Sequence, residues 1–223
     1  MFDTRTTLAR IVLDNPASAR VFQRHGIDFC CRGEQTLGAA CAAKGLVPEV
    51  VVEELARVLV GPTPIEDPRG WSNAALVAHI VDQHHAYLRE QLPVLLELAA
   101  KVKRVHGARD ARLIEVDSIV RDLESALLPH LDAEEESLFP RLLDDRPDRA
   151  RIAAELATML EDHLEVGALL QRLRLVTEGF RLPDWACNSF RVLFSELESL
   201  EGDVLTHVHL ENHVLMPRFA EEA

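Results

Sequence analysis

His130-Leu-Asp-Ala-Glu134-Glu-Glu-Ser-Leu138-Phe139-Pro140 and His207-Val-His-Leu-Glu211-Asn-His-Val-Leu215-Met216-Pro217 are two copies of one pattern, H-x-x-x-E-x-x-x-L-[F/M]-P, 77 positions apart. Two more histidines, His85 and His163, precede the copies and lie 78 positions apart. The repeat reads as a duplicated helical hairpin. On a helix, a histidine and a glutamate four positions apart differ by about 40° in direction once a full turn is removed, so one face offers both to one ion. Leu123, Leu127, His130, Glu134 and Leu138 continue a single stripe, as do Leu197, Leu200, Val204, His207 and Glu211. The polar groups therefore point into a core, where an uncompensated carboxylate costs several kcal/mol and a cation is the natural remedy. An isolated H-x-x-x-E is more often a surface pair. Duplication and inward placement together favour metal ligation.

Four segments around these residues show apolar periods of three and four: about 72–105, 110–143, 148–178 and 184–219. Gly107, the stretch from Asp144 to Pro147, and Gly179 with Pro183 separate them. A segment of this size runs about 45 Å as a helix, and long helices with short connections pack as antiparallel neighbours. The expected architecture is an up-down-up-down four-helix bundle. Ligands on adjacent antiparallel helices share one level only if the turn falls midway between them. The midpoint of His85 and His130 falls beside Gly107, and that of residues 130–134 and His163 falls at Pro147. The midpoint of His163 and residues 207–211 lies a few residues past Pro183.

Strand signals are scarce, and the whole chain reads as all-α. Its clearest break is Gly61-Pro62-Thr63-Pro64 through Pro68-Arg69-Gly70. The expected division is a small N-terminal helical domain over 1–61 and the bundle over 70–223. Asn15-Pro16, Gly26, Gly33, Gly38 and Gly45 cut the first domain into short helices.

Lys and Arg number 24 against 37 Asp and Glu, a net charge of −13, which repels phosphate backbones and anionic membrane surfaces. Neither a nucleic-acid nor a membrane partner is expected. The sequence shows no secretory signal and no apolar run near the roughly 18 residues that span a bilayer, so a cytoplasmic location is expected. Four cysteines are too few for a disulfide framework there.

Four imidazoles and two carboxylates exceed a structural zinc site but suit two ions bridged by the glutamates. Mixed nitrogen and oxygen donors at an open site favour iron over magnesium or calcium, with manganese and zinc as alternatives. His79, His106, His209 and His213 diverge from the ligand face and read as exposed or hydrogen-bonded residues. Spacing alone leaves His84 and His85 tied.

The chain resembles the di-iron, hemerythrin-like family called repair of iron centres, the YtfE/ScdA type. In the first domain the resemblance rests on Asp14-Asn15-Pro16, Gly26-Ile27-Asp28-Phe29-Cys30-Cys31 with Gly33, and Ala40-Cys41. In the bundle it rests on His85 with Arg89-Glu90-Gln91-Leu92-Pro93, Arg104-Val105-His106, His163-x-Glu165-x-Gly167, Leu210-Glu211-Asn212 and Leu215-x-Pro217-Arg218. It departs at Arg32, where members often carry a second glycine, and at Met216, usually phenylalanine. The resemblance selects His85 over His84 and implies the ligand set His85, His130, Glu134, His163, His207 and Glu211. They would hold two iron ions with oxo and carboxylate bridges.

The implied role is repair of iron–sulfur clusters damaged by nitric oxide or oxidants, by iron donation, by nitric oxide chemistry of a reductase type, or by both. Damaged iron–sulfur proteins are the implied clients, nitric oxide or dioxygen the small ligand, and dimers are common in the family. A hemerythrin-like carrier or sensor of dioxygen or nitric oxide is the alternative. A dioxygen carrier of that kind uses a fifth histidine, absent from this set. A metal-free helical scaffold would leave two core glutamates uncompensated. Cys30 and Cys31 follow a glycine turn beside Arg32, which suggests an exposed, reactive thiol pair in contact with iron in transit or with a client. Cys41 and Cys187 fall in apolar periods and read as packing residues.

Overall fold

Thr7, Thr36 and Asp148 each stand one residue before a helix, and each side-chain oxygen accepts a backbone N–H three residues on, from Arg10, Ala39 and Arg151. Such caps satisfy donors that a helix leaves open at its start and contribute about 1 kcal/mol each. The computed structural model describes residues 3–58 and 67–219. Within them, α1 (Leu8–Asp14), α2 (Ser18–Arg24), α3 (Leu37–Lys44) and α4 (Pro48–Val58) are short, as the glycines and Asn15-Pro16 predict. Gly45, at φ 66°, ends α3 in the left-handed conformation that glycine adopts without a Cβ penalty. Gly61 to Pro64, where the sequence suggests a domain boundary, lies outside the described residues.

The long elements follow. α5 (Asn73–His79) continues through a π-turn at Ile80–His85 into α6 (Ala86–His106). α7 (Arg112–Ala133) passes through a π-turn at Glu134–Leu138 into α8 (Phe139–Leu142). α9 (Arg149–Val176) is uninterrupted, and α10 (Asn188–Leu210) ends in a π-turn at Glu211–Leu215 and a single 3-10 turn at Met216–Arg218. No strand occurs among the described residues, only an isolated bridge between Thr7 and Thr36. No described helix is long and apolar enough to cross a membrane.

The chain divides into two compact units, one of Met1–Ser72 with Leu205–Ala223 and one of Asn73–Val204. In the second, α7 packs against both α6 and α9. α10 is tied to α9 by the part-buried Arg174–Glu201 pair and to the first π-turn by His84 and Asp203. The core includes Leu123, Leu127, Leu197 and Leu200 of the predicted stripes, joined by Leu88, Leu92 and Leu95 from α6, Leu170 and Leu173 from α9 and Phe194 from α10, all essentially inaccessible. Each such side chain contributes about 1.5–3 kcal/mol on leaving water. In the first unit Leu8, Ile11, Phe22, Leu37 and Leu55 form a separate small core. The C-terminal stretch is fastened to it, because Arg218 donates to the carbonyls of Trp71 at 2.8 Å and Pro68 at 3.2 Å.

The π-turns have a sequence cause in two cases. Proline lacks an N–H, and its ring collides with the carbonyl four residues back. Pro140 and Pro217 therefore prevent the preceding turn from closing as a regular helix. The residue just before each, Phe139 or Met216, instead donates five residues back, to the carbonyl of Glu134 or Glu211.

Candidate metal centre

Within the Asn73–Val204 unit, π-turn and helix together bring His85, His130, Glu134 and His163 to one level. All are nearly inaccessible, from 1% exposed for His85 and His163 to 6% for His130. The two oxygens of Glu134 face different imidazoles: Oε2 lies 3.3 Å from His85 Nε2, and Oε1 lies 3.3 Å from His130 Nε2. His163 Nε2 lies 3.2 Å from His130 Nε2. Glu134 thus sets one carboxylate oxygen against each of two buried imidazoles. Three imidazole nitrogens around it are donors suited to a divalent transition metal. The residues fit such ions.

The outer ring nitrogens are also held. His85 Nδ1 pairs with Glu135 Oε1 at 2.9 Å, and Arg89 donates to the same oxygen at 2.9 Å. Burial pushes the Glu135 carboxyl up, but the hydrogen bonds from His85 and Arg89 outweigh it and hold the group below the usual carboxylate range. His130 Nδ1 faces Asp162 Oδ2 at 3.3 Å. A carboxylate on the far nitrogen fixes the tautomer and leaves Nε2 as the inward-facing donor. Phe139, delivered by the second π-turn, stacks on the His85 ring at 5.7 Å.

His84 is buried too, but its Nδ1 meets Asp203 at 2.8 Å and its ring lies edge-on to His79. Of the two adjacent histidines, His85 is the one that faces Glu134. Nearby, burial and then the Asp203 and Glu196 charges push the Tyr87 phenol up to about 12.

Two clefts open on the α7–α9 face and both reach His130. One, of about 520 Å³, is lined by Asp122, Ser125, Pro129, Asp162 and Glu165; the other, of about 150 Å³, by Glu134, Ser137, Glu155, Thr158 and Asp162. The carboxylates in their lining, Asp122, Asp162 and Glu165 in one and Glu134, Glu155 and Asp162 in the other, attract cations and repel anions.

In the other unit, His207 Nε2 and Glu211 Oε1 meet at 2.9 Å, both completely buried. His209, expected on the surface or in a hydrogen bond, is instead 2% exposed and packs edge-on against Phe29 at 5.6 Å. Burial, with the His213 imidazole adding to it, lowers its pKa to about 3. Cys30 also departs from expectation. It is buried, and hydrogen bonding to Cys31, burial and the charges of Cys31 and Asp28 push its thiol well above the usual range rather than below it. Cys41 is buried in α3 as expected. Cys187 is exposed, 3.1 Å from His106 Nε2, because α10 starts only at Asn188.

Sequence reasoning missed Glu135, Asp162 and Asp203. The first two adjoin candidate ligand positions, Glu134 and His163, but look like members of surface charge runs; Asp203 carries no local signal.

The chain matches the family described as Hemerythrin HHE cation binding domain over residues 76–219, and ScdA_N, a domain of unknown function, over residues 4–59. It is 30% identical over 222 residues to the iron-sulfur cluster repair protein ScdA of Staphylococcus haemolyticus, covering 99% of this chain and 100% of the relative. It is 34% identical over 212 residues to the iron-sulfur cluster repair protein YtfE of Escherichia coli O157:H7, covering 95% and 94%. Identity to the Shigella boydii protein of the same name is 33% over the same length and coverage.

Proposed function

The chain belongs to the hemerythrin HHE cation-binding family, in the form that the iron–sulfur cluster repair proteins ScdA and YtfE share, and from that premise we propose that it repairs damaged iron–sulfur clusters by donating iron from a two-iron centre. The observation that supports this most is Glu134, with one oxygen toward His85 and the other toward His130. His85, His130, Glu134 and His163 would hold the ions, and the duplicated pair His207 and Glu211 would complete the set. Bound iron supplies Lewis acidity, one-electron redox change and, as cargo, the metal that a damaged cluster has lost. Glu135 and Asp162 keep His85 and His130 in the tautomer that presents Nε2 inward. The acidic clefts ending on His130 favour passage of a cation. Nitric oxide or dioxygen would be the small ligand of such a centre. Cys30, Cys41 and Cys187 are thiols rather than disulfides, which fits a reducing compartment such as the cytoplasm. The small helical domain over 1–61, with Cys30 and Cys31, would face the client and the bundle over 70–223 would store the metal.

Anaerobic purification should give about two irons per chain, and incubation with a nitric-oxide-damaged iron–sulfur enzyme should restore that enzyme's activity. Glu134→Gln keeps the shape but removes the charge, so it should lose the iron and the repair while remaining folded. A wild-type protein that retains iron yet leaves the damaged enzyme inactive would sink the repair reading. Consumption of nitric oxide in the same assay would favour the reductase alternative.

A further inference from the structure

Adjacent cysteines ordinarily send their side chains apart. Here Asp28 prevents it, because its Oδ1 accepts the N–H of Cys30 at 3.2 Å, the N–H of Cys31 at 2.9 Å and the thiol of Cys30 at 3.3 Å. The two sulfurs end up 3.6 Å apart. That is far from a disulfide bond, at about 2.05 Å. It is close to the separation of about 3.8 Å for two thiolates on one tetrahedral cation with metal–sulfur bonds near 2.3 Å. Candidate donor atoms of Asp28, Cys30 and Cys31 all lie within 4.8 Å of one another.

The loop is held from behind. The Cys30 carbonyl accepts from Asn212 Nδ2 at 3.1 Å and from His213 Nε2 at 2.8 Å. Gly33 is required for that clamp, since a Cβ there would overlap the His213 imidazole. Phe29 is buried between Phe22 and His209. The donors are thus ordered before any ligand arrives, which lowers the entropic cost of binding.

We propose that Asp28, Cys30 and Cys31 form a second metal site, one that takes a thiophilic divalent cation and holds iron(II) in transit to a client. The proposal rests on the iron-donation reading above. Two sulfurs and a carboxylate suit a borderline-soft cation better than magnesium or calcium. A cation among the three groups offsets the mutual repulsion of their charged forms. Binding exchanges two thiol protons for the cation: both S–H bonds break, two metal–sulfur bonds form, two protons go to solvent, and no electron moves. Cys31 and Asp28 are only half-buried, so a fourth position stays open to a thiolate of the receiving protein.

The test uses the full chain with its bundle already loaded with iron, kept anaerobic, and cobalt(II) as the spectroscopic probe. About one equivalent should bind with a thiolate-to-cobalt charge-transfer band and release about two protons, while the iron content stays constant. The band should vanish in Cys30→Ser and Cys31→Ser. Asp28→Asn, which keeps the hydrogen-bond acceptor of the turn, should retain the band with about tenfold weaker binding. No thiolate band in iron-loaded protein, or an unchanged band in the serine variants, overturns the site. Full repair activity in Cys30→Ser, Cys31→Ser protein overturns the transit role but leaves iron donation standing. Loss of iron from the bundle itself would count against the function proposed above.

Discussion

Asp162 shows how much a residue beside a proposed ligand can matter. Its side chain is 46% exposed and adds nothing to the core, yet it sits on the outer nitrogen of His130 at 3.3 Å. Without it, the imidazole is free to choose the other tautomer, in which Nε2 carries the proton that a metal would have to displace. Asp162→Ala should lower iron affinity about 10–100-fold, as other carboxylates on ligand histidines do, with the thermal unfolding of the iron-free protein unchanged. Competition against a calibrated iron chelator measures the first and calorimetry after chelation the second. Equal affinities would mean that Asp162 is only a surface charge.

The π-turns belong to the scale of the element. A helix with one widened turn is a common feature of functional sites, and here the widening at Glu134–Leu138 delivers Phe139 onto the His85 ring. Pro140→Ala restores an N–H and removes the ring collision, so the segment should tighten into regular helix. The expected result is a gain of about 1 kcal/mol in the stability of the iron-free protein and weaker iron binding, read by urea unfolding and chelator competition. A variant unchanged in both would show that the proline does not hold the turn open.

The sequence predicted these helices to within a few residues, and the H-x-x-x-E repeat predicted the inward faces. Regular spacing between His130 and Glu134 gave no hint of the widened turn, because the extra residue acts only after the glutamate. Asp203 was invisible for a different reason. Its partner His84 lies 119 positions away, and no local pattern encodes such a pairing. The buried state of Cys30 was missed because Asn212 and His213, which clamp its carbonyl, come from the other end of the chain.

At the scale of the whole molecule, acid should unfold the protein through identifiable groups. Asp117 is 5% exposed and meets Lys103 at 2.5 Å and Arg121 at 3.2 Å. Burial alone would raise its carboxyl, but the hydrogen bonds from Arg121 and Lys103 outweigh that and lower it from 3.8. A carboxyl whose folded value lies below the unfolded one stabilises fully above the unfolded value, and that contribution is lost as pH falls through the folded value. Asp117→Asn should therefore cost about 1–2 kcal/mol near neutrality, less than a sealed pair because Lys103 reaches solvent. The gap to wild type should close below pH 3.8, as urea unfolding at pH 3 to 7 would show. A gap that persists into acid would assign the effect to packing.

A π-turn is also a helix with one amino acid to spare, which gives these three segments a history that can be read in the gene. A single codon inserted into an ordinary helical hairpin creates such a turn, and a single codon deleted erases it without disturbing the reading frame. Because the pattern containing Glu134 recurs at Glu211, one insertion made before the ancestral hairpin was duplicated suffices for both, and the turn at Ile80–His85 needs another of its own.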